Sequence, residues 1–339
     1  MTNSAQLFIP FQTRPSLECI PDDVMLEILS QLPTLGDCPS HISFQEHLIP
    51  VIPSRMLVRT PTLRALSQTS RLLRSRCLAM AWRRIELCGA DLQKPDVYDT
   101  ISRATETAIR VLKACPYLLP LIQTVSFIPT SYQKAEIIPA FAACLATLPN
   151  LDTIQVIHVC SEDRIKTVIK NAFRGKRFPS VRRIFLPSSM HAIIKSCRNV
   201  EEVACVAGDG GKIIQSLAEG KCYRVRILKG ICAPLTPLAN LAPNLTHASV
   251  PMESDMTPLT SFPFLDTVEI LINHLNAKKR RPLSQVAALD IEKAREILKG
   301  NRSQANKAVV LTKLNSIQGY RAYEFDVAEA YMTREIIKV

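Results

Sequence analysis

The sequence predicts an α/β protein, with a small all-helical unit at the N-terminus followed by an irregular, horseshoe-shaped solenoid of short strands and returning segments. Three observations lead there. "IPDDVMLEILSQLP", Ile20 to Pro33, reads as a helix with more apolar surface than one face requires. "LRALSQTSRLLRSRCLAMAWRRIEL" reads as a helical block with a narrow apolar stripe. After it, one strand-like template recurs along the chain.

The first helix starts at Pro21, whose fixed φ suits a helix start, and Asp22 and Asp23 complement the positive end of the helix dipole. At roughly 100° per residue, Val24, Ile28, Leu32, Met25 and Leu29 fan over about 140°, with Leu26 beyond, whereas a helix with one neighbour needs a stripe nearer 100°. The excess either lies between several helices of the same chain or is covered by another protein. In the second block Leu63, Leu66, Ser70, Leu73 and Cys77 make a stripe able to receive the first helix. The single tryptophan, Trp82, then precedes the alternation Ile85, Leu87, which reads as a packing anchor leading into a strand.

With 339 residues and 47% hydrophobic content, the chain can bury a large aliphatic core, and its length suggests two units. A net charge of +12 favours contact with acidic proteins, nucleic acid or anionic membrane without choosing among them. Eleven cysteines without a C-x-x-C pair suit a reducing compartment, and no disulfide is expected. Cys38 with His41 and His47, and His158 with Cys160, fall short of four ligands at zinc spacing, so no metal or other cofactor is expected. No apolar run is long enough to span a bilayer and no secretion signal precedes the first helix, which predicts a soluble chain in the cytoplasm or nucleus. "KKRR", Lys278 to Arg281, reads equally as a nuclear localisation patch or a solvated loop. No nucleophile motif or paired-carboxylate pattern appears, so no intrinsic catalysis is expected.

The template is P-x-Φ-x-x-Φ-x-Φ, with Φ aliphatic. It appears as "PLIQTVSF", "PNLDTIQV", "PSVRRIFL", "PNLTHASV" and "PFLDTVEI", with "RNVEEVAC" and "YRVRILKG" as weaker versions. The first Φ falls at 122, 151, 181, 200, 225, 245 and 265, giving steps of 29, 30, 19, 25, 20 and 20 residues. This period and pattern identify leucine-rich repeats: strands with Φ inward, stacked because no unit buries its face alone. The uneven steps predict an irregular arc with some helical returns. "SEDRIKTVIKNAF" is one such helix, capped by Ser161 and facing the core with Ile165, Val168, Ile169 and Phe173. "GKIIQSLAEG" is another, with Gly220 as its stop signal, and the preceding "GDGGK" reads as a turn, since it lacks phosphate-loop spacing. "LSQVAALDIEKAREILKG" from Leu283 reads as a later amphipathic helix and "KAVVLTKL" as a last strand.

Ile20-Pro21-Asp22-Asp23 with Val24, Ile28 and Leu32, then Leu63, Leu66, Ser67, Thr69, Ser70, Arg71 and Leu73, then Trp82-Arg83, resembles the F-box in order and chemistry. That resemblance implies a three-helix unit docking a Skp-family adaptor, and through it a cullin–RING ubiquitin ligase. It assigns Ile20, Pro21, Val24, Ile28, Leu32, Leu66, Leu73 and Trp82 to the adaptor contact. The chain departs from the family in a proline-punctuated insert between Pro33 and Pro61, which loop-closure entropy tolerates. An F-box followed by leucine-rich repeats resembles the fungal-type substrate receptors of such ligases. The implied organisation is a flexible segment over 1–15, the F-box over 16–87 with its insert at 33–61, repeats over 88–273, and a helical or capping segment over 274–339. A Skp-bound scaffold without a ligase and a basic nucleic-acid-binding repeat protein remain the alternatives.

Within each template the residues alternating with Φ point away from the core and form the concave face. The candidate target-binding residues are Thr153, Gln155, Arg183, Phe185, Glu202, Lys229, His247 and Glu269. Arg183 beside Phe185 is the expected anchor, and Lys229 with His247 adds positive charge suited to an acidic or partly apolar protein segment. The basic run Arg174, Lys176, Arg177, Arg182, Arg183 suits protein or nucleic acid equally, having no interleaved aromatics.

Overall fold

The computed structural model describes residues 17, 20–32, 57–88, 96–130, 136–159, 162–273, 283–303, 307–314 and 333–339. The protein is mixed α/β. Three helices come first, α1 (Asp22–Ser30), α2 (Arg59–Thr69) and α3 (Arg71–Trp82). An open ten-stranded sheet follows, its strands side by side in chain order. They are β1 (Arg84–Leu87), β2 (Thr124–Phe127), β3 (Thr153–Val156), β4 (Arg183–Leu186), β5 (Glu202–Cys205), β6 (Ile227–Lys229), β7 (His247–Pro251), β8 (Thr267–Asn273), β9 (Ala308–Leu314) and β10 (Thr333–Lys338). All neighbours pair in parallel except β9 with β10, which are antiparallel.

Each template strand begins two residues after its first Φ, including the two weak versions. Those first Φ residues, Ile122, Leu151, Val181, Val200, Val225, Leu245 and Leu265, are all fully buried. The second row, Val125, Ile154, Ile184, Val203, Leu228, Ala248 and Val268, is fully buried too. Between the rows the backbone satisfies itself by a repeated device: one carbonyl just before each strand accepts two N–H groups from the next unit. Gln123 O accepts from Asp152 and Thr153, Asp152 O from Arg182 and Arg183, Arg182 O from Glu201 and Glu202, and the pattern continues to Thr246 O. Parallel pairing is thus fixed in register by both the apolar rows and this carbonyl column.

The returns adjust to the uneven steps by changing helix type. Where the step is 25 to 30 residues the return holds an α-helix: α5 (Ile137–Leu145), α6 (Glu162–Phe173) or α7 (Gly211–Gly220). Where it is 19 or 20, the return is 3-10 helical: Ser188–Ser196, Thr236–Leu238 or Thr257–Ser261. A 3-10 helix rises about 2.0 Å per residue against 1.5 Å for α, so the nine residues from Ser188 span as far, about 18 Å, as the twelve of α6. Successive returns pack on one another, from α4 (Val97–Ala114) through α5, α6, the Ser188–Ser196 segment and α7, and so form a second layer over the Φ side chains.

Several expectations need correction. Pro21 lies just before the first helical residue, with φ −54° and ψ 150°, rather than inside α1. The left-handed residue ending α7 is Lys221 (φ 54°), not Gly220. Gly220 is needed for closeness instead, since a Cβ there would lie 3.3 Å from Cys222 Sγ and 3.7 Å from Lys195 Cα. The segment after Leu283 is two helices, α8 (Leu283–Val286) and α9 (Ala288–Gly300), separated at Ala287. β1 belongs to the sheet although it falls inside 16–87, and β9 and β10 extend the sheet past 273. Ser161, Lys278–Arg281 and most of the 33–61 insert lie outside the described residues.

"GDGG" is a structural turn. Asp209 Oδ1 accepts from Gly211 N at 3.0 Å, and Asp209 O accepts from Cys232 N and Ala233 N. Gly210 sits at φ +80° where a Cβ would come 2.7 Å from Ile231 Cδ1, while Gly175, at φ +75°, faces open space. Gly210→Ala is expected to lower stability by roughly 2–3 kcal/mol and Gly175→Ala by about 1 kcal/mol. Chemical denaturation midpoints of the two variants would separate the steric clash from the backbone strain they share.

Candidate functional site

The N-terminal helices make a small core of their own from Met25, Leu29, Leu63, Leu73, Cys77 and Ala81. Polar clamps fix α1 on the other two helices. Arg76 reaches its start, donating to Ile20 O at 3.1 Å and pairing with Asp22 Oδ1 at 2.8 Å. Arg59 reaches its end, donating to Leu32 O at 2.9 Å. Ser70, extended between α2 and α3, breaks the helical block and caps α3 by accepting from Leu73 N at 3.1 Å.

Because Met25 and Leu29 take the core direction, the remaining apolar residues of α1 stay about half exposed. Val24, Leu26 and Ile28 are 45, 53 and 50% exposed, and Leu72 on α3 is 44% exposed. Val24 and Ile28, one turn apart, form a continuous strip. Of the residues assigned to an adaptor contact, Pro21, Val24 and Ile28 are exposed, while Ile20, Leu32 and Leu66 are half-buried against the small core. Leu73 is a correction: at 3% exposure it is a core residue, since its i, i+4 spacing with Cys77 puts both on the side of α3 that packs in the small core. Trp82 is another. Half-buried, it packs against both the small core and the sheet's core, under the Arg64 guanidinium at 4.8 Å, and so joins the two units. Glu86 on β1 adds a polar tie to the same junction; burial pushes its carboxyl up, opposed by the Thr60 hydroxyl and by Arg84, Arg64 and Arg59.

The sheet face opposite the returns is less open than alternation suggests. Thr124, Ser126, Thr153, Ala204 and Ser249 are buried, which removes Thr153 from any contact surface. Strands about 4.8 Å apart let a long side chain cover a short one on the next strand. Ser126 Oγ donates to Gln155 Oε1 at 2.9 Å, directly across the register pair. The charges expected to attract a ligand are already paired. Arg183 Nε and Nη2 both donate to Asp152 Oδ2, at 2.9 and 2.7 Å. Lys229 Nζ meets Glu202 Oε1 at 2.7 Å. Lys229 and Glu202, both candidates, thus neutralise each other, and the candidates His247 and Glu269 face each other with Nε2 3.5 Å from the carboxylate. Phe185, half-buried between Gln155 and Ala204, keeps its place as the aromatic of this face.

The tightest cluster surrounds Glu269. Its carboxylate accepts from Ser249 Oγ on β7 and from Thr312 Oγ1 on β9, the latter at 2.6 Å, with His247 Nε2 3.5 Å away. Burial pushes the carboxyl up, but His247 and the Ser249 and Thr312 hydroxyls outweigh it and hold the group at about 2, below the ordinary 4.5. Ser, His and Glu are therefore together without forming a nucleophile relay: the serine hydroxyl donates to the carboxylate, not to the imidazole, and Ser249 is fully buried.

Reading only strand positions missed a polar column one residue before each strand from β1 to β8: Arg83, Gln123, Asp152, Arg182, Glu201, Arg226, Thr246 and Asp266. Arg83 Nε donates to Gln123 Oε1 at 2.8 Å and Arg182 Nη1 to Glu201 Oε1 at 2.6 Å. The signal was present as alternating charge at one fixed template position. Among the described residues no group of three or more His, Cys, Asp or Glu could hold a metal ion, and the eight described cysteines are free thiols. Cys38, His41, His47 and Cys160 lie outside the described residues. No helix among the described residues is long and apolar enough to cross a membrane.

A carboxyl held at about 2 in the folded chain contributes stability that is complete above pH 4.5 and is lost as pH falls toward 2. Glu269→Gln should therefore cost on the order of 3 kcal/mol at neutral pH and flatten the acid limb of a stability–pH curve. Denaturation series at several pH values would show a parallel offset instead if the carboxylate were not the titrating group. No protein-family model matches the chain, and no curated protein shows significant similarity to it.

Proposed function

We propose that the chain is a non-catalytic substrate-recognition subunit of a Skp–cullin–F-box ubiquitin ligase, with α1–α3 as an F-box and the sheet and its returns as an irregular leucine-rich-repeat solenoid. The observation that carries the reading is the apolar strip Val24–Ile28 on a helix whose opposite side is clamped into a core of its own. A strip of that kind suits capture by an apolar groove on a Skp-family adaptor. The in-order parallel sheet, with steps of 19 to 30 residues and a continuous layer of returns, supports the repeat reading. On this reading target chemistry belongs to the ligase partners, and the chain raises the local concentration of a bound protein beside the ubiquitin donor. The target contact centres on Arg183 and Phe185, where Arg183 exchanges its Asp152 partner for a ligand carboxylate.

Co-expression with a Skp-family adaptor tests this directly. The wild-type chain should co-purify with it, and Val24→Asp/Ile28→Asp should reduce the complex at least about tenfold with folding intact, because both residues are already exposed. Retention of the complex by that double variant, or its absence with well-folded wild type, would remove the F-box reading.

A further inference from the structure

A cleft of about 690 Å³ opens between the C-terminal end of α6 and the end of the Ser188–Ser196 3-10 helix. Lys170, Arg174, Lys176 and Arg177 line it from α6 and the turn that follows, and Lys195 and Arg198 line it from the other element. No carboxylate is among its described lining residues. Among the described residues, Lys195 alone of these six cations has an ion pair, with Glu219 at 2.5 Å. Some arginines elsewhere are paired with carboxylates: Arg76 with Asp22, Arg103 with Asp99, Arg182 with Glu201 and Arg183 with Asp152. Part of the charge complements the carbonyl end of α6, but one or two cations meet that need, and it places none on the opposite wall.

We propose that this cleft binds a compact, multiply phosphorylated small anion. The volume is that of a small-molecule site, and cations converging from two walls favour a compact charge cluster over an extended chain. The aromatics that line it, Phe173 and Phe178, are 1 and 2% exposed and pack on each other at 5.7 Å, so neither offers a stacking face for a nucleobase. Gly175, left-handed with open space where a Cβ would stand, lets an anion approach the backbone of the turn. His191, also in the lining, lies with Nδ1 3.1 Å from Ser188 O and serves as a local reporter.

Calorimetric titration of the full chain with tripolyphosphate tests the site. One site per chain is expected, weakening as ionic strength rises. Arg174→Gln/Arg177→Gln/Arg198→Gln should weaken it about tenfold or more, whereas Arg71→Gln/Arg74→Gln/Arg302→Gln, which removes the same charge elsewhere, should not. In the wild-type chain the His191 ring resonances should move during the titration, a readout independent of any variant. Absence of binding, equal weakening by both triple variants, or an unmoved His191 signal would overturn the proposal. Tighter binding of a single-stranded RNA oligonucleotide, lost in the cleft variant, would overturn it in favour of a nucleic-acid surface.

Discussion

The structure depends on one constraint: a four-residue parallel strand in this chain has no hydrogen-bond partners and no cover for its apolar side except those supplied by the units before and after it. The second Φ row from Val125 through Ile154, Ile184 and Val203 to Val268 is a single fully buried line across seven strands. Burying each such side chain contributes roughly 1.5–3 kcal/mol relative to exposure, against the ordering of its own return segment. Register follows from the same contact. A slip of one residue would turn this line toward the polar face and break the column of shared carbonyls at Gln123, Asp152 and Arg182.

Once that line is fixed, the returns are free to vary. The sheet requires each return to cover a similar distance, and the chain meets the requirement with α-turns where it has residues to spare and 3-10 turns where it has few. The basic cleft lies beside the place where α6 and the Ser188–Ser196 segment, returns of different type, meet at their ends, joined by Ser196 Oγ donating to Phe173 O at 3.0 Å. Positive charge is left without carboxylates there, away from the sheet face, where the Arg183–Asp152 and Lys229–Glu202 pairs balance charge locally.

The helical unit joins this assembly through a narrow junction. Trp82 packs into both cores, Arg64 lies over its ring, and Glu86 on β1 interacts with Thr60 and the arginines of α2.

The sequence by itself determined the repeat: the aliphatic period places every described template strand two residues after its first Φ, and Ile165, Ile169 and Phe173 turn inward as helical spacing requires. It also determined that α1 carries surplus apolar surface, since 100° periodicity counts faces without knowing their neighbours. Only the tertiary structure decided which part of that surface is spare, because Met25 and Leu29 share one core with Leu63, Leu73 and Cys77, on helices distant in sequence. Likewise alternation named the outward residues, Arg183, Glu202, Lys229, His247 and Glu269, but could not reveal that they meet partners 20 to 43 residues away. Side-chain direction is a local property of the backbone, whereas exposure and charge depend on what the next strand places within about 5 Å.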